Sequence, residues 1–385
     1  VSNGGDLILR AEHVLLPDGW HDDVTVEVAG GRVLRISSGS GPAPDLTLDG
    51  RVVPGFVDTH VHGGGGASFS TTDRDEVRTV VETHARGGTT TTMASLVTAE
   101  IGVLVEQVRT LVPLVRSGEL AGIHLEGPFL SEQRCGAHDP ALLVDPSPDR
   151  LEPLLDAAQG TLAMVTLAPE RPHATEAVRR LREAGVRVAV GHTTADEQLA
   201  ARTVEAGATV ATHLFNAMSP VHHREPGPIP FLLTDPRVVV ELIADGAHVH
   251  DDVLAMAVAA AGPDRVALVT DAMAAAGRPD GDFRLGALTV RVRDRVARLV
   301  DADGVEGSIA GSTLTMDGAL RRVAGLRGQS LASASLMAST TPARVHHLEG
   351  AGRLAEGARA DLVQLDDQLG VRAVLRAGRA LQTMA

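Results

Sequence analysis

The stretch Pro54-Gly-Phe-Val-Asp-Thr-His-Val-His-Gly63 decides how the rest of this chain is read. It is a short apolar run that ends in His60-Val-His62 and continues as glycines to Gly66. Alternate side chains of an extended strand point the same way, so His60 and His62 project together, with Asp58 on that same face. Two imidazoles so placed can share one metal ion, and the glycines let the backbone turn away from a crowded strand end. A His-x-His pair also occurs in exposed loops. Its meaning therefore rests on whether other segments supply partners.

They do, and at regular intervals. Buried-strand patterns recur at 52–57, 89–94, 121–125, 162–167, 186–190, 209–212, 238–243 and 266–270, with amphipathic helical patterns between them, as at 75–86, 174–184 and 195–206. Eight parallel-type strands in βα alternation predict a (β/α)8 TIM barrel, an α/β fold, with a doubly wound open sheet as the competing arrangement. Six strand ends carry histidine or carboxylate. Besides His60 and His62 these are His124-Leu-Glu126, Gly191-His192-Thr193, Thr212-His213-Leu-Phe-Asn216, Ala244-Asp-Gly-Ala-His248 and Thr270-Asp271. Active sites of such barrels sit where the C-terminal strand ends converge. Each residue alone has a structural explanation (Glu126 or Asp271 as a helix cap), but the whole set does not.

The two ends of the chain read differently. Short alternating segments at 6–10, 24–28 and 32–36 match others at 360–365 and 371–375. They predict a small β-sandwich domain formed from both termini, residues 1–52 and 346–385, around a catalytic barrel at 53–345. Trp20, the only tryptophan, is expected to pack in that small domain.

Composition narrows the function. The chain has 385 residues and a formal net charge of −14, which argues against nucleic acid or an anionic membrane as partner. No apolar run reaches membrane-spanning length, and the N-terminal residues lack a signal-peptide pattern. The single cysteine, Cys135, excludes an internal disulfide framework and suits a reducing, cytoplasmic setting. All 35 basic residues are arginine, which removes Schiff-base and pyridoxal-phosphate chemistry as well as a carboxylated lysine bridging two metals.

Imidazole and carboxylate donors suit a divalent ion, zinc above all, with iron, manganese, cobalt or cadmium as substitutes. Glu126, His192 and His213 would form one three-ligand site with an open position. His60 and His62 could form a second, with Glu126 between, giving one or two ions per subunit. A bound ion lowers the pKa of water towards ~7. Asp271 is the candidate general base, taking a proton from that water and passing it to a leaving amine.

These residues resemble the amidohydrolase superfamily. Within it, the motifs His124-Leu-Glu-Gly-Pro-Phe129, Gly191-His-Thr193, His213-Leu-Phe-Asn-Ala-Met218, Arg224-Glu-Pro-Gly227, Ile243-Ala-Asp-Gly246 and Thr270-Asp-Ala-Met273 resemble the family of N-acetylglucosamine-6-phosphate deacetylases. The likeness covers nearly the whole chain. It implies hydrolysis of the acetamide of a phosphorylated amino sugar, with Asn216, Ala217 and Arg224 on the phosphate and His248 on the sugar or scissile carbonyl. It also implies substrate contacts from His138, His223 and Ile309, and a homodimer in which Arg224 crosses to the neighbouring site. N-acetylgalactosamine 6-phosphate is the alternative substrate, and a non-catalytic assembly protein the alternative class. The loop 131–138 departs from the family by carrying Cys135 where many relatives have lysine. Hydantoinases and dihydroorotases are disfavoured by the missing lysine, and adenosine-type deaminases by the spacing of Glu197 from His192.

Overall fold

Eight parallel strands form the wall of a barrel in the computed structural model, which describes residues 6–39 and 41–383. They are Phe56–Asp58, Thr89–Val97, Gly122–Glu126, Leu162–Leu167, Arg187–Val190, Val210–Ala211, Val239–Ile243 and Val266–Val269, paired in chain order. All eight expected strands are present. Most are buried from end to end because their outward faces lie under helices and their inward faces fill the barrel. Met93, Met164, Ala189 and Val210 form one inward cluster.

The helices follow from their spacing. Arg74–Arg86 buries Val77, Val80 and His84, and the Asp73 side chain accepts a hydrogen bond from the Asp75 backbone N–H at its start. Ala174–Glu183 buries Ala177, Val178 and Leu181, one stripe three to four residues apart.

The first and eighth strands share no regular ladder. They are joined at their C-terminal ends instead, where Asp271 N–H donates to the His60 carbonyl and His62 N–H to the Ala272 carbonyl, both at 2.8 Å. Asp58 completes this seam: Thr270 Oγ1 donates to Asp58 Oδ2 at 2.6 Å. Asp58, expected on the face of the histidine pair, thereby ties the first strand to the eighth beneath the site.

The apolar run 52–57 is one strand pattern but two strands. Leu46–Pro54 belongs to the terminal sheet, and Phe56–Asp58 opens the barrel. Gly55 makes the transfer, since a Cβ there would lie 2.2 Å from Thr90 Oγ1. The terminal segments form a seven-stranded sheet, in which strands 7–16, 19–29, 32–38 and 46–54 meet 362–365, 371–376 and 379–383. Leu9, Val26, Val33, Leu48, Leu362 and Leu375 make its own core. Trp20 does not join them and is 39% exposed. The ends of the expected small domain, 1–5 and 384–385, lie outside the described residues.

A four-stranded antiparallel sheet, Gly281–Leu285, Leu288–Arg293, Val296–Val300 and Glu306–Ile309, was not foreseen. It is inserted after the eighth strand. Leu285, Val290, Val292 and Ala297 pack on Val97, Met273, Ala274 and Ala275, which fixes the sheet against the barrel rim. Among the described residues, no helix is long and apolar enough to cross a membrane.

Candidate metal centre and active site

Glu126, the last residue of the third strand, stands at the middle of the rim. Its Oε1 lies 2.9 Å from His213 Nε2 and 3.2 Å from His192 Nε2, and those two nitrogens are 3.1 Å apart. Its Oε2 lies 3.1 Å from His62 Nε2, which is 3.2 Å from His60 Nε2. Asp271 Oδ1 faces both, at 3.2 Å from His62 and 3.5 Å from His60. Two donor groups result, His60–His62–Glu126–Asp271 and Glu126–His192–His213, all buried and joined at Glu126.

The surroundings dictate which ring nitrogens face this centre as bases. His62 Nδ1 lies 3.1 Å from the Ser95 carbonyl and His192 Nδ1 2.8 Å from the Arg134 carbonyl. A carbonyl only accepts, so each Nδ1 carries the proton and each Nε2 turns a lone pair inward. Lone pairs crowded around a carboxylate with no donor between them are the donor set of a cation site. With no ion bound, the carboxylates draw a proton onto the inward nitrogen: burial by itself would lower the pKa of His62, yet its hydrogen bonds to Asp271 and Glu126 raise it to about 9, and a divalent ion would take that proton's place. Burial would likewise raise Glu126, but the His60 charge and the hydrogen bonds of His138, His192 and His213 hold it well below the usual carboxylate range. The centre thus draws positive charge, which a divalent ion supplies.

Several of these residues adopt backbone conformations that non-glycine residues rarely take. His192, His213 and Asp271 have φ of 48°, 25° and 48°. Such geometry costs on the order of 1–3 kcal/mol per residue and collects where a site over-determines it. Glu170, after the fourth strand, holds the turn at His192 by accepting from the Thr193 hydroxyl at 2.5 Å and the Thr194 N–H at 2.6 Å.

Loop 131–138 closes one side of the centre. Ser131 N–H donates to the His192 carbonyl at 3.0 Å, and a Cβ at Gly136, whose φ is 59°, would stand 3.0 Å from His192 Cε1. His138 comes from the same loop, with Nε2 3.3 Å from Glu126 Oε2 and Nδ1 2.9 Å from Thr98 Oγ1. Burial outweighs the pull of Glu126 and lowers its pKa to about 4, so its ring is neutral near pH 7.

Above the metal centre lies a cavity of about 420 Å³. Asn216, Ala217, His248 and Ile309 line it, as expected, together with His138 and Asp271. Leu285 and Ser308 of the inserted sheet, and Gln133 and Arg134 of the loop, also line it and were not foreseen. His248 is fixed by Asp245, whose Oδ2 is 2.7 Å from His248 Nδ1. His223 and Arg224 lie outside this chain's own cavity, exposed and paired with each other at 2.7 Å. Sequence reasoning also missed Glu241. Its signal was present: one acid in the otherwise apolar run 238–244.

The chain belongs to the amidohydrolase family, whose sequence model matches residues 51–381. Residues 8–49 match the N-terminal domain of the formimidoylglutamate deiminase HutF. The chain is 36% identical to the N-acetylgalactosamine-6-phosphate deacetylase of Escherichia coli O157:H7, over 95% of this chain and 97% of that one. It is 33% identical to the N-acetylglucosamine-6-phosphate deacetylase of Lysinibacillus sphaericus, over 97% of each. Among solved structures, an Asp-to-Ala variant of Mycobacterium smegmatis N-acetyl-D-glucosamine-6-phosphate deacetylase, in complex with N-acetyl-D-glucosamine-6-phosphate, is 46% identical. It superposes with a TM-score of 0.94 over 98% of this chain and 100% of that one.

Proposed function

We propose that this chain is a metal-dependent deacetylase that converts N-acetyl-D-glucosamine 6-phosphate and water to D-glucosamine 6-phosphate and acetate, in amino-sugar metabolism. The observation that carries this reading is the convergence of four imidazole Nε2 atoms and two carboxylates, Glu126 and Asp271, on the floor of a cavity sized for a small ligand. Glu126, His192 and His213 are assigned to one ion, and His60 and His62, sharing Glu126, to a second. Zinc is the ion best suited to this set, with iron, manganese, cobalt and cadmium as alternatives. When bound, a divalent ion polarises the acyl oxygen and lowers the pKa of water at the centre.

Everything else is done by side chains. Asp271 is ionised: positive charge at His60 and the His62 hydrogen bond hold its pKa at about 2 against the effect of burial, and an ion held by those two residues would supply that charge in their place. Asp271 takes one proton from the attacking water as the new C–O bond forms. It returns that proton to the amine nitrogen as the C–N bond breaks, leaving a free amine and acetic acid, whose remaining proton is then released to give acetate. His248, held by Asp245 at the cavity wall, is assigned to donate to the sugar or the scissile carbonyl. Asn216 and the Ala217 backbone, at one wall, are assigned to the phosphate, with His138 and Ile309 lining the sugar.

Arg224 and His223 are assigned to the phosphate of a neighbouring subunit in a homodimer. Their exposure, away from this chain's own cavity, supports that reading. The division into a terminal β domain (1–52 and 346–385) and a barrel (53–345) is part of the same proposal. Acetate release from N-acetylglucosamine 6-phosphate, N-acetylgalactosamine 6-phosphate and unphosphorylated N-acetylglucosamine tests it. Preference for the first is expected. Preference for the second would move the assignment towards the Escherichia coli relative, and no release by metal-loaded protein would overturn it.

A further inference from the structure

We infer that Glu241 is the positioning residue of His60, and that it makes the His60–His62 end of the centre a working ion site. This rests on His60 being a metal ligand, as assigned above. Glu241 lies in the seventh barrel strand, Val239–Ile243, and is 1% exposed. Its Oε2 is 3.0 Å from His60 Nδ1. The same oxygen lies 3.3 Å from the backbone nitrogen of His213, a ligand of the other donor group. Its Oε1 has no hydrogen-bond partner among the described residues. No arginine reaches it, and His60 is its single ion-pair partner among them.

A carboxylate buried this deeply is costly unless positive charge compensates it. A neutral imidazole donating one N–H compensates only partly. An imidazole whose Nε2 holds a cation does so better, because its Nδ1–H is then more acidic and the hydrogen bond approaches a charge-assisted one. The reverse also holds: the carboxylate raises the basicity of Nε2 and locks the ring plane. His62 and His192 instead give their Nδ1–H to neutral backbone carbonyls. His60 is thereby the ligand with the most basic support. Glu241 also steadies the left-handed backbone at His213, so one side chain touches both ends of the centre.

The test is metal binding, read without activity. Cobalt(II) would be titrated into metal-free protein and followed by absorption, with bound ions counted by elemental analysis and folding checked by circular dichroism. Wild type should take two ions. Glu241→Leu should weaken the second by about 10–100-fold, and Glu241→Gln by about tenfold, with the first ion changed less than about threefold in the Gln variant. The Gln variant keeps shape and an acceptor, so it carries the test if the Leu variant does not fold. Native affinity for both ions in the Gln variant would overturn the inference. So would equal weakening of both, which is the mark of a purely structural residue, and so would a wild type that binds a single ion. Two-ion binding with the predicted loss but no acetate release would uphold this inference and overturn the deacetylase reading.

Discussion

Asp271 Oδ1 lies 3.2 Å from His62 Nε2, so the candidate base and a candidate ligand share one hydrogen-bonded contact. Asp271→Asn keeps the shape of the side chain and removes its capacity to carry a proton. It should lower kcat by at least ~100-fold while the ions stay bound. Turnover and metal content measured on the same preparation decide this, since near-normal turnover in a metal-loaded variant would exclude Asp271 as the base.

The His60–His62 pair governs how many ions bind. His60→Ala should lower the stoichiometry by about one and leave the Glu126–His192–His213 site filled. Elemental analysis after removal of loosely held ions is the measurement. An unchanged content would mean that the pair is not a separate site.

Arg224 tests the assembly. Removing one side of a desolvated charge pair costs about 2–5 kcal/mol, so Arg224→Ala should cut kcat/KM for the phosphorylated sugar by a factor of about 30 to several thousand. Activity on the unphosphorylated sugar should barely change, whereas equal loss on both substrates would point to the fold. Mixing Arg224→Ala with Asp271→Asn should restore up to about a quarter of the sites if subunits exchange at random in a two-fold dimer. A mixture that stays inactive after exchange is demonstrated would place Arg224 in its own subunit's site.

The Asp245–His248 pair predicts a pH dependence. Burial would lower His248, but the hydrogen bond it donates to Asp245 outweighs this and the pKa rises above 6.5. Burial would raise Asp245, yet His248 takes it below 3.8. A raised histidine contributes stability that is fully present below 6.5 and is lost as pH climbs through the raised value. A lowered aspartate contributes above 3.8 and loses its contribution as pH falls through the lowered value. Asp245→Asn should therefore show its largest stability deficit between 3.8 and 6.5, shrinking towards alkaline pH. Thermal melts of both proteins across pH provide the check, and a deficit independent of pH would contradict the pairing.

Much of the site was legible because barrel chemistry is periodic. A strand of known phase puts its last residues on the rim, so His60, His62, Glu126, His192, His213 and Asp271 announce themselves as polar residues ending apolar runs. Glu241 escaped because it sits inside a strand, where a polar residue has meaning only once the ring above it is known to be His60. Alternation puts Asp58 on the face of the histidines, and only the seam between the first and eighth strands shows that its carboxylate accepts from Thr270.

The amino-acid sequence by itself determined the architecture and the donor set, because strand period, helix period and residue type are local properties of the chain. It also determined which chemistries are unavailable, since a chain without lysine cannot form a Schiff base. Tertiary structure alone decided which nitrogens face the centre, because the carbonyls of Ser95 and Arg134 that hold the His62 and His192 protons come from other segments. It alone decided the left-handed backbone at His192, His213 and Asp271, which contacts from elsewhere must impose. It also decided the wall at Leu285, Ser308 and Ile309, because the inserted sheet reaches the rim only by packing on Val97 and Met273. Distances between segments far apart in the chain are set by packing, and packing is not written in any one stretch of it.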